Sequence, residues 1–157
     1  MSRVLLARSA GFCFGVSRSV RQAEALLAEG PCFCLGELIH NADEMAALKA
    51  RGLTVIDAPE QLPEGARVLI RAHGASEAEY AALRARGARI TDATCPNVER
   101  IHRLVRDAEE RGRLPVVLGD ARHPEVRAIR GWCRDSEVFA DAAELAAQAD
   151  GGPPSLR

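Results

Sequence analysis

The chain has 157 residues, 47% hydrophobic and 27% charged, with a formal net charge of -1 at pH 7. That is a globular composition, enough for one full domain or two small ones. With no basic run and no apolar run near the roughly 20 residues of a membrane span, neither nucleic acid nor membrane is expected as a partner.

Met1-Ser2-Arg3-Val4 carries no signal-peptide core, so a cytoplasmic setting is expected. Five cysteines there read as free, metal-bound or catalytic, not as a disulfide framework. Val4 to Ala7 is a short apolar run and predicts a strand. Gly11-Phe12-Cys13-Phe14-Gly15-Val16 follows, a cysteine between two glycines where a strand hands over to a helix. A thiol at a helix start feels the positive end of the dipole, which favours thiolate. Val16, Val20, Ala23, Leu26 and Leu27 have helical spacing, and Gly30-Pro31 stops the helix. Cys32 to Leu35 predicts a strand, whose two cysteines, alternating along it, read as core residues.

Asn41 with Glu44 has capping-box spacing and opens a helix that ends at Gly52. Leu53 to Ile56 predicts a strand, and Ala58 to Gly65, with two prolines, a loop. Val68-Leu69-Ile70 predicts a buried strand running into Arg71-Ala72-His73-Gly74. Ser76 and Glu79 form a second capping box, and the helix they open ends near Gly87. Ala88 to Thr91 predicts a strand, followed by Asp92-Ala93-Thr94-Cys95-Pro96-Asn97, with Pro96 suited to a first helical turn. Val98, Ile101, Leu104, Val105 and Ala108 mark that helix's apolar stripe, with His102 inside it as a packed residue. Pro115 to Leu118 is a strand, Gly119 to Val126 a turn into a short helix, and Val138-Phe139 a last strand. Asp141 with Glu144 caps a final helix through Ala149. Cys133, beside Trp132, reads as packing, and Gly151-Gly152-Pro153-Pro154 as a tail.

Strands alternate with helices and no connection has the form of a tight hairpin, which predicts parallel α/β sheets. A boundary near Cys95 to Val98 divides the chain into a first unit, 1–95, with Cys13, His40 and His73, and a second, 96–150, with His123 and Glu125. Residues 151–157 are the tail. Ligands of open α/β sheets bind beyond the carboxyl ends of strands. Cys13, His40, His73, Cys95 and His123 all fall at such handovers, each before a helix N-terminus that favours anions. Two thiols, three imidazoles and Glu125 could converge there, giving soft metal ligands, anion donors and a proton source. Taken singly, each also has a structural alternative: a packed cysteine, a solvated loop histidine, a helix-start carboxylate.

Five segments in order carry a resemblance: Gly11-Phe12-Cys13-Phe14-Gly15-Val16, Leu38-Ile39-His40-Asn41, Arg71-Ala72-His73-Gly74, Asp92-Ala93-Thr94-Cys95-Pro96-Asn97-Val98 and His123-Pro124-Glu125-Val126. From about Val4 to Gly131 the chain resembles the 4-hydroxy-3-methylbut-2-enyl diphosphate reductases, iron–sulfur enzymes of the non-mevalonate isoprenoid pathway. The resemblance implies a trefoil of three parallel-sheet α/β units, with two units here and the third missing. It implies a [4Fe-4S] cluster held by three cysteines, two of them Cys13 and Cys95, with one iron left open to the substrate oxygen. It makes His40, His73 and His123 the diphosphate-holding histidines and Glu125 the proton-relaying acid. A ferredoxin or flavodoxin is the implied electron donor. The third cluster cysteine and the later serine–asparagine segment have no counterpart in this sequence. An uncovered apolar surface is expected where a third unit would pack. Two other readings use the same residues: a non-catalytic α/β module that binds a phosphorylated ligand or partner chain, and a zinc or redox protein built on Cys13, Cys95 and a histidine.

Overall fold

The computed structural model describes residues 4–151. Its elements run α1 (Phe14–Ala28), β1 (Cys32–Leu35), α2 (Ala42–Ala50), β2 (Leu53–Ile56), a 3-10 turn (Pro59–Gln61), β3 (Arg67–Ile70) and α3 (Glu77–Ala85). They continue β4 (Arg89–Asp92), α4 (Pro96–Glu110), β5 (Val116–Leu118), α5 (Pro124–Arg130), β6 (Glu137–Phe139) and α6 (Ala142–Gly151). A four-stranded sheet has the order β2-β1-β3-β4 and a two-stranded sheet pairs β5 with β6. Every described pairing is parallel, as the alternation of elements predicts.

The larger sheet is covered on both faces, and strand alternation divides its side chains between two cores. Cys32, Cys34 and Leu69 pack with Ala23 and Leu27 of α1 and Met45 and Leu48 of α2. Leu35, Val68 and Ile70 pack on the opposite side with Leu62, Tyr80 and Leu83. Burial pushes the Cys34 thiol up to about 12 and the Cys32 thiol upward, so both are inert packing groups. Ser76 and Glu79 make the full reciprocal capping box of α3. Asn41 caps α2 by accepting from the Glu44 amide, and Asp141 caps α6 likewise from Glu144.

Three expectations are corrected. Val4 to Ala7 forms no strand: Val4, Leu5 and Leu6 are exposed. An apolar run supplies propensity, but a strand needs a neighbouring edge for its N–H and C=O groups, and no described strand pairs with this one. The stripe on α1 is rotated: the fully buried positions are Gly15, Ser19, Ala23 and Leu27, with Val16, Val20 and Leu26 only partly covered. Small residues at that spacing let the helix lie close to the chain beyond β4. On α4 the buried positions are Val98, His102 and Val105, while Leu104 faces outward. His102 takes the core place because Trp132 offers its ring a flat partner. Other large apolar side chains left exposed are Phe12, Phe14, Val116 and Leu118. The tail beyond Gly151 lies outside the described residues.

Candidate functional site

The hydrogen-bond ladder of the larger sheet continues past its strand ends. The Ala72 amide donates to the Leu38 carbonyl at 3.1 Å, and the Cys95 amide donates to the Ala72 carbonyl at 2.9 Å. The loops after β1, β3 and β4 therefore lie side by side, and they present His40, His73 and Cys95 in sheet order. Leu38, Ile39 and Ala72 are buried and anchor these loops. His123 arrives from the smaller sheet, after β5, as the N-cap of α5.

The three histidines meet. His40 and His73 have ring centroids 4.5 Å apart, and each lies 5.4 Å from His123. One nitrogen from each falls within 4.8 Å of the others. His123 Nδ1 accepts from the Glu125 amide at 3.2 Å. That lone pair is used, so a neutral His123 carries its proton on Nε2 and turns a donor outward. A metal ligand needs a free lone pair there, so binding an ion through Nε2 would cost His123 its cap. The cluster is better suited to donating to an anion than to coordinating a cation.

His73 is half-buried with its Nδ1 unpartnered. Burial, then neighbouring His40, Arg71 and His123, push it down to about 4. Burial also pushes His102 down to about 4, with Asp92 opposing and Arg106 assisting. Both folded-state values lie below the usual 6.5, so on acidification the unfolded chain takes up protons first. The stability linked to these groups is complete above pH 6.5 and is lost as the pH falls from there toward 4. Urea unfolding is expected to show a loss of about 2 kcal/mol by about pH 5 from His102, which is almost wholly buried, and less from His73. His102→Phe should remove the larger share; a profile flat between pH 7 and 5 would contradict the assignment.

The two thiols occupy equivalent places. Cys13 is the N-cap of α1 and Cys95 the N-cap of α4, both 15-residue helices, and neither side chain is used in a cap hydrogen bond. Both are free. Cys95 Sγ lies against the first turn of α1, where a Cβ added at Gly15 would overlap it. Three polar side chains of α1 donate to consecutive carbonyls ahead of Cys95: Gln22 to Asp92, Ser19 to Ala93 and Arg18 to Thr94, at 3.3, 2.7 and 2.9 Å. Uncommitted thiols at two helix N-termini, with α1 tied to the segment that leads into Cys95, fit as two ligands of an iron–sulfur group. The stitching residues escaped sequence reading. The available signal was a serine, Ser19, on the helix face that also carries Gly15, Ala23 and Leu27. Glu125 is half-buried in the first turn of α5, two residues from His123.

Residues 4–153 match the sequence profile of a family described as LytB protein. The chain belongs to the LytB family. Among relatives, it is 36% identical over 149 residues to 4-hydroxy-3-methylbut-2-enyl diphosphate reductase of Thermoanaerobacter sp. (strain X514), covering 92% of this chain and 52% of that one. It is 40% identical over 136 residues to the Aquifex aeolicus reductase, covering 85% and 47%. A solved LytB-family structure, (E)-4-hydroxy-3-methyl-but-2-enyl diphosphate reductase, matches with a TM-score of 0.77 and 35% identity over 94% of this chain and 54% of that one. The Plasmodium falciparum reductase matches with a TM-score of 0.84 at 23% identity, covering 88% and 45%, a likeness of fold. This LytB chain thus spans about half the length of the curated relatives it matches. No described helix is long and apolar enough to cross a membrane.

Proposed function

We propose that this chain carries the substrate-holding part of a 4-hydroxy-3-methylbut-2-enyl diphosphate reductase, as two α/β units, 1–95 and 96–150, of a three-unit trefoil. The observation that carries the reading is the meeting of His40, His73 and His123 beside helix N-termini. The diphosphate takes hydrogen bonds from the Nε2–H of His123 and from the neighbouring imidazoles. Cys13 and Cys95 are two of the thiolates that would hold a [4Fe-4S] cluster. When bound, such a cluster supplies the two electrons of the reduction, drawn from a ferredoxin or flavodoxin. Glu125 delivers a proton to the leaving hydroxyl: the C–O bond breaks, water departs, and a second proton completes isopentenyl or dimethylallyl diphosphate. On this reading the activity belongs to isoprenoid synthesis by the non-mevalonate route.

The test is anaerobic turnover, with a chemical reductant and 4-hydroxy-3-methylbut-2-enyl diphosphate, of an iron–sulfide-reconstituted full-length version in which this chain is joined to a third unit. Glu125→Gln should keep its iron and lose about a hundredfold or more in turnover, the scale of general acid catalysis. Unchanged turnover would remove Glu125 from the proton path, and cluster-loaded protein that consumes no substrate would defeat the reading.

A further inference from the structure

The three histidines come from two different sheets. His40 and His73 follow β1 and β3, whereas His123 follows β5, so their spacing depends on how the second sheet's loops are held against the first. Three contacts gather at the far end of α5. The Gly131 carbonyl accepts from the Glu77 amide at 3.2 Å. Trp132 Nε1 donates to the Ala75 carbonyl at 2.9 Å, two residues beyond His73. The Trp132 ring stacks on His102, with centroids 5.1 Å apart and planes 17° apart, and meets Tyr80 edge-on at 5.9 Å.

His102 is 4% exposed. It lies directly beneath Gly74, where an added Cβ would come 2.5 Å from Cε1. Gly74 has φ +77°, a conformation that favours glycine. His102 Nε2 has no hydrogen-bond partner, and the ring is packed between Gly74 and Trp132. Trp132 and His102 together therefore grip the segment 73–75 from below and from the side.

We propose that Trp132, backed by His102, is the positioning residue that sets the spacing of His73 and His123. This rests on the reading that the three imidazoles hold a diphosphate. The helix α5 acts as a strut. Its N-cap is His123 and its C-terminal neighbour is Trp132, about 13 Å away at helical rise. One end supplies a donor to the site and the other is tied to the loop that supplies the second donor. The hydrogen bond carries the positioning more than the packing does. A cavity of about 230 Å³, lined by Tyr80, Thr94, His102 and Trp132 among others, leaves the indole room to slide. Without its tie to Ala75 the ring can move into that space, and the 73–75 loop loses its stop.

The test titrates inorganic pyrophosphate into the 157-residue chain by calorimetry and follows the histidine ring protons by NMR across pH. Trp132→Phe keeps the ring and removes the donor. Pyrophosphate binding is expected to weaken by about tenfold, the upper end for one hydrogen bond. The His73 titration should move up from about 4 toward its ordinary value as the loop admits water. Unchanged affinity and an unchanged His73 titration in a folded Trp132→Phe protein would overturn the proposal. Should that variant fail to fold, His102→Ala takes the same two readouts with the same expected direction, and no change there overturns it. If the unaltered chain binds no pyrophosphate, the diphosphate reading fails, and the His73 titration alone still decides the positioning role.

Discussion

Pyrophosphate binding is expected to fall about a hundredfold on His123→Ala, the size of a lost charge-assisted hydrogen bond in a site that loses one of three donors. His123 does two jobs, and the substitution removes both. Its Nε2 carries the donor proton, while its Nδ1 accepts from the Glu125 amide and caps α5. Losing the cap should cost about 1 kcal/mol of stability. His123→Asn separates the roles, because asparagine is a good cap but offers no imidazole donor at the same reach. The expected pattern is therefore near-normal unfolding for His123→Asn, lowered stability for His123→Ala, and weak pyrophosphate binding for both. Should His123→Asn bind like the unaltered protein, the imidazole is not a ligand-holding donor and the site reduces to a helix N-terminus. Tight zinc binding that leaves the α5 cap intact would contradict the tautomer assigned to His123.

The second large effect is expected from Gly15→Ala. A Cβ at this position would overlap Cys95 Sγ and stand 3.2 Å from Cys95 Cβ. The sulfur can turn aside about its own bond, but the contact with Cys95 Cβ remains, and neither backbone is free to withdraw. The helix is held by the three hydrogen bonds from Arg18, Ser19 and Gln22 to the carbonyls of residues 94, 93 and 92. Cys95 is held by its own amide on the Ala72 carbonyl. Overpacking of this kind costs about 1–3 kcal/mol. Alanine's better helix propensity returns about 1 kcal/mol at most, so the net effect remains a loss. Urea unfolding should show the loss, and the displaced Cys95 should react with a thiol reagent at an altered rate. Adding Cys95→Ala to Gly15→Ala removes the overlapping sulfur and should recover most of the stability. Failure to recover would mean that α1 is not packed on Cys95 in the way described.

Both experiments turn on features that differ in how far the sequence disclosed them. His40, His73, His123 and Cys95 could be nominated because each stands where an apolar run passes to a helix start; Cys13 was nominated on the same reasoning, although its run, Val4 to Ala7, forms no strand. In a parallel sheet such handovers gather at one edge. Ser76-to-Glu79 and Pro96 were legible for the same local reason: capping and first-turn chemistry involve only neighbouring residues. The contributions of Trp132, Ser19 and His102 were not. Each acts on a partner remote in sequence, Ala75, Ala93 and Gly74 respectively. No periodicity encodes such a partner.

By itself, then, the sequence determined the parallel α/β class and nearly all the elements, and it nominated the residues proposed to bear the chemistry, since these follow from periodicity, caps and short motifs. The tertiary structure alone decided that three imidazoles meet with one of them presenting a donor. It also turned α1 by its small face and α4 by its histidine toward the core, and left Val4 to Ala7 unpaired. Local propensity can nominate a strand or a helix face. Only the shape and hydrogen-bonding needs of a distant neighbour decide whether that strand pairs and which face is buried.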